Sequence, residues 1–180
     1  MSPEGADAFT EAVRGIAGRG ARLVPLELPF GELDAAAATI LFYEMARGLA
    51  HELAHHRARV NPMLVQRVDD GAKIPYAEYA NAVAYAADCR RKLADLMRDV
   101  DAIVTPSATG EAPLGLESTG NTAMNRLWTL LYTPCVTVPA GKGPAGMPLG
   151  IQIVGLPGKD ARTLAAARWV EAGASSAAAC

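Results

Sequence analysis

Two apolar runs, PCVTVPA at 134–140 and LGIQIVG at 149–155, flank a short segment, 141–148, built around Gly141, Gly143, Pro144 and Gly146. This pairing constrains the fold more than any other feature of the chain. Gly and Pro at that density make a turn that brings the second run back beside the first. Only Thr137 interrupts the apolar character of CVTVPA, so both runs are expected as central strands covered on two faces. Gly155 through Gly158 then leads into a last helix, with Asp160 as its expected N-cap.

The remaining segments place helices around these strands. Phe9, Val13 and Ile16 recur at helical spacing, and Gly18 and Gly20 close that helix. ARLVPLELP, 21–29, is expected as a strand that Pro25 pushes to an edge or a bulge. A helical pattern covers 32–60 and stops at Asn61-Pro62, and a short helix follows to Asp70 with Gly71 as its C-terminal cap. Pro75 opens a long helix in which Tyr76, Ala80, Val83, Ala87, Arg90, Leu93 and Met97 share one side. Cys89 is placed away from that stripe. A compact strand, 101–105, comes next, then a long loop rich in Gly, Ser, Thr and Pro at 106–120, then a helix bearing MNRLWTLL. Loops of that length in compact domains are usually functional. Strands alternating with helices predict an α/β layered fold. One domain is expected over 1–173, followed by a frayed tail at 174–180.

At 180 residues and 51% apolar, the chain is long enough to bury one ordinary core. A formal charge of -2 gives no reason to expect nucleic acid or an anionic membrane as a partner. No apolar run approaches the length that spans a bilayer, and no leader-type segment opens the chain. Cys89, Cys135 and Cys180 are odd in number and far apart, which fits reduced thiols in a cytoplasmic protein. Neither Cys89 nor Cys135 has basic neighbours in sequence that would make it a nucleophile.

His51, Glu52 and His55 spell H-E-x-x-H, a zinc-peptidase pattern, and all three histidines of the chain lie between 51 and 56. On a helical wheel, His51 and His55 share a face with Glu44 and Arg47, opposite Phe42, Met45, Leu49, Leu53 and Val60. A peptidase helix must turn its histidines inward and find a third ligand. Here the face is polar, Arg47 would repel a dication, and only Glu78 is on offer. The reading is a solvated helix face with no metal site.

The run Pro134, Pro139, Gly141, Gly146, Pro148, Gly150, Gln152, Gly155, Asp160, together with DAIVTPSATG and NRLWTLLYTP, resembles the carboxyl-terminal part of the amidase signature family. The earlier helices fit more loosely, so the resemblance covers nearly the whole chain. It implies a mixed β-sheet flanked by helices and a role in hydrolysing carboxamide C–N bonds. The family's catalytic machinery, a Ser, a cis-bonded Ser and a Lys, belongs to its amino-terminal half. No counterpart is found here. Ser2, Ser107, Ser118, Ser175 and Ser176 lack a Gly-Gly-Ser-Gly setting, and Lys73, Lys92, Lys142 and Lys159 match none of the family's catalytic contexts.

The resemblance therefore implies no catalytic residue and no cofactor in this chain. It implies one wall of a substrate pocket, carried by Thr105, Thr109, Asn121, Asn125 and Trp128. Asn supplies both a donor and an acceptor to an amide, and an indole covers an apolar group. The expected partners are a small-molecule amide, if an amino-terminal half completes the site, and either a second copy or such an amidase fragment. Two other classes stay open, a non-catalytic interaction module and the zinc peptidase.

Overall fold

A computed structural model describes the backbone of residues 1–177 and the side chains through residue 173. Two compact units are distinguished, one formed by Met1–Leu28 with the chain from Leu93 onward, the other by Pro29–Lys92.

The first unit is built on a three-stranded antiparallel sheet: β1, Ile103–Pro106; β2, Cys135–Lys142; β3, Pro148–Val154. β3 is central and pairs with both others. Helix α1, Pro3–Gly18, starts at Ser2, whose hydroxyl accepts the Gly5 N–H, with Pro3 in the first turn. α6 spans Ala123–Leu130, and α7 runs from Asp160 to Ala177.

The pleat sorts the sheet into two faces. Ile151 and Ile153 on β3 and Val138 on β2 join Ile16 of α1 and Ala167 and Val170 of α7 in one buried cluster. The other face carries Thr105, Gln152 and Thr137 in register across the three strands. Gln152 is buried and Thr137 is exposed.

The second unit holds α2, Leu33–Gly48; α3, Ala50–His56, followed by a single 3-10 turn at Arg57–Arg59; and α4, Pro62–Ala72. It also holds most of α5, Tyr76–Leu96. Asn61 caps α4 by accepting the Met63 N–H. Tyr43 of α2 stacks on Tyr79 of α5 with ring centroids 4.1 Å apart, and Glu44 accepts the Tyr79 hydroxyl at 2.9 Å.

Several expectations are corrected. Segment 21–29 forms no strand. Pro25 and Pro29 remove two ladder donors, Leu23 and Val24 are exposed, and the sheet order leaves the segment unpaired. The 32–60 helix breaks at Gly48–Leu49, where backbone capping bonds close α2 before α3 begins. Gly71 lies inside α4 rather than capping it. It is buried so close to α2 that a Cβ there would stand 1.9 Å from the Phe42 carbonyl oxygen. On α5 and its continuation the buried positions are Ala82, Ala86, Cys89, Leu93 and Met97, whereas Val83 is exposed, so Cys89 lies on the buried face. β2 is an edge strand with Cys135, Thr137 and Pro139 exposed, not a strand covered on both sides. Asp160 is the first helical residue of α7, and its carboxylate serves the positive end of the helix from there.

The expected tail at 174–180 falls mostly outside the described residues; the helical backbone is described to Ala177. No helix among the described residues is long and apolar enough to cross a membrane.

Candidate functional site

β1 ends at Pro106, and the chain enters the 107–120 loop on the sheet face that carries Gln152. A lone amide in an apolar strand must find partners when buried. Gln152, 1% exposed, donates from Nε2 to the Pro106 carbonyl at 3.1 Å and to the Met124 carbonyl at 2.6 Å. One side chain thus ties the end of β1 to the first turn of α6. Asn125, the next residue of that helix, donates from Nδ2 to the Ser107 carbonyl at 3.1 Å and closes the same seam.

The loop is held at two further points. Thr109 accepts the Ser2 N–H through its carbonyl at 2.6 Å, joining it to the start of α1. The Glu111 carboxylate accepts the Ala145 N–H at 3.1 Å and the Met147 N–H at 2.9 Å, filling the turn between β2 and β3. Beyond Glu111 the loop is solvated, and Leu114 and Leu116 are fully exposed.

The residues expected to form a pocket wall fall into three groups. Asn125 and Thr105 lie at the seam, and Thr105 donates to the Pro106 carbonyl at 3.0 Å. Thr109 is half-buried where the loop meets α1. Asn121 is exposed, and its side chain accepts the Ala123 N–H at the start of α6. Trp128 is buried, and its carbonyl receives both the N–H and the hydroxyl of Thr133. Gln152, Ser107 and Glu111 belong to the same constellation, and sequence reasoning missed them as site residues. For Gln152 the signal was present, since it is the one polar side chain in LGIQIVG.

The serines and thiols have ordinary duties here. Ser2 caps α1, and Ser118 accepts the Gly120 N–H in a turn. Ser175 and Ser176 have no described side chains. Lys73 pairs with Asp70 and Lys92 with Asp88. Cys135 is exposed as a residue, but partial enclosure of its thiol pushes its pKa up, opposed by the hydrogen bond with Thr133. That direction keeps it a thiol rather than a nucleophilic thiolate. His51, His55 and His56 are all exposed, and no three His, Cys, Asp or Glu side chains converge as metal ligands among the described residues.

An antiparallel sheet is closed on one face by α1 and α7 and carries on the other a polar seam between β1, β3 and α6. The chain belongs to the amidase family, whose model matches residues 1–164. It is 28% identical over 190 residues to the 2-amino-5-chloromuconic acid deaminase of Comamonas testosteroni, a match covering 96% of this chain and 40% of that protein. Over 97 residues it is 32% identical to the fatty-acid amide hydrolase 2 of Homo sapiens, covering 52% of this chain and 18% of the relative. A solved amidase structure superposes with a TM-score of 0.84 at 28% identity, over 93% of this chain and 41% of its own. The chain thus spans about two-fifths of the length of the relatives it matches along its whole extent.

Proposed function

We propose that the chain acts as the carboxyl-terminal portion of an amidase-type hydrolase of carboxamide C–N bonds. In this reading it completes the sheet and one wall of the substrate pocket and does not turn over amides by itself. The observation that carries the proposal is the asymmetry of the sheet. One face is sealed by α1 and α7. On the other, Gln152 and Asn125 fix α6 to the β1 loop, while Thr137, Cys135 and Pro139 stay exposed along β2. β2 is also an edge strand, with backbone groups that a further strand can pair.

The wall consists of Asn125, Thr105 and Thr109, with Asn121 at its rim and Trp128 supporting α6 from its buried side. Its partner is a polypeptide equivalent to the amino-terminal amidase half, and its small-molecule ligand an amide. The free thiols of Cys89 and Cys135 support a reducing, cytoplasmic setting.

The test is reconstitution. Purified chain is assayed on aliphatic and aryl amides alone and after mixing with an amino-terminal amidase fragment. Activity is expected only in the mixture, with a shift in mass by light scattering. Turnover by the chain alone, abolished by substituting one of its own residues, would overturn the proposal; so would a monomer that ignores the fragment.

A further inference from the structure

The histidines of α3 are left out of the site described above, yet their geometry is not that of scattered surface residues. His51 and His55 stand one turn apart with ring centroids 4.6 Å from each other, tilted by 52°. A metal about 2.0–2.1 Å from an imidazole nitrogen lies about 3.2 Å from the ring centre, so two rings meeting one ion at a right angle stand about 4.5 Å apart. The observed separation fits that bite.

His56 is 6.5 Å from His51 and 6.4 Å from His55, beyond it. Two neighbouring cations have contacts of their own. Arg47 lies over the Tyr43 ring, 3.1 Å from its centroid, and donates to the Tyr43 carbonyl at 2.9 Å, and Arg57 is paired with Asp69.

We propose that His51 and His55 form a two-imidazole chelate on the solvent side of α3 for a divalent transition-metal ion, copper(II) foremost. Copper heads the affinity order of first-row dications at nitrogen sites. The ion is exchangeable, completes its shell with water and has no part in amide hydrolysis.

The whole chain, freed of metal by chelator, is titrated calorimetrically with copper(II) and separately with zinc(II), and the copper adduct is examined by electron paramagnetic resonance. Saturable copper binding is expected, tighter than zinc, with two imidazole nitrogens in the spectrum. His51→Gln or His55→Gln should each weaken it by about tenfold or more, because the second donor no longer acts at high effective concentration. His56→Gln and Cys135→Ser should leave it nearly unchanged. Since these residues are exposed, circular dichroism is expected to report an intact fold for each variant. Zinc binding tighter than copper, a loss on His56→Gln equal to that on His55→Gln, or abolition by Cys135→Ser would overturn the assignment.

Discussion

Gly143 has no side chain because the carboxylate of Glu111 occupies its place: a Cβ built on Gly143 would stand 2.3 Å from the Glu111 Cδ. The carboxylate, in turn, is held by the N–H groups of Ala145 and Met147, which the same turn presents. The long loop and the hairpin are therefore one interlocked unit. Gly143→Ala should expel Glu111 and lose those charge-assisted bonds, and Glu111→Ala should lose them directly. Each is expected to cost about 1.5–3 kcal/mol. The double variant should cost little more than either single one, because both remove the same contact. Urea midpoints of the three variants check this, and additive losses would show that the two residues act apart.

Two glycines predict opposite outcomes for the same substitution. Gly71→Ala drives a methyl into the Phe42 carbonyl, a backbone atom that yields only if α2 and α4 part. The loss should reach about 3 kcal/mol, at the upper end for overpacking. A Cβ placed on Gly15 in α1 would meet nothing within 4 Å, so Gly15→Ala should stabilise by about 0.5–1 kcal/mol through backbone entropy. Thermal melts of both variants distinguish the cases.

Gln152→Leu fills the same space without donors and removes two hydrogen bonds, leaving the Pro106 carbonyl to Thr105 and cutting the tie to Met124. Each lost hydrogen bond is worth about 0.5–1.5 kcal/mol. Hydrogen exchange should quicken in α6 and at Ser107 more than in α1 and α7, which pack on the opposite face. Uniform quickening throughout the sheet would mean that Gln152 supports the fold generally rather than this seam.

The hydrogen bond to Glu44 holds the Tyr79 hydroxyl above its ordinary pKa, while partial burial chiefly raises that of Tyr85. A pKa raised on folding means that the protonated form is favoured in the native state. The Tyr79–Glu44 contribution is thus complete below the ordinary tyrosine range and lost as pH rises through the elevated value. Ultraviolet titration should show late ionisation of Tyr79 and Tyr85, and Glu44→Gln should return Tyr79 toward the ordinary range. Unchanged titration of Tyr79 in that variant would place the cause elsewhere.

Much of the frame was legible in the chain itself. α1, the pairing of β2 with β3, the helix bearing Trp128 and the long helix after Pro75 are each announced by a local period or by Gly and Pro at a turn, and local signals survive without a partner. The amidase resemblance rests on the same punctuation, and Asn125 does take part in the seam between the β1 loop and α6. What the sequence could not settle are facts about neighbours far along the chain. ARLVPLELP has strand-like composition, yet a strand exists only where another pairs with it, and none does here. Cys89 falls on the buried side of α5 because what surrounds the helix, not its own pattern, decides which of two small-residue faces is covered. Glu111 reads as an ordinary loop carboxylate until the fold brings it to backbone amides 34 and 36 residues away. Sequence determined the elements because hydrogen bonding and side-chain period act within a few residues. Tertiary structure alone decided their edges, their buried faces and the partners of their polar groups, because those depend on which distant surfaces meet.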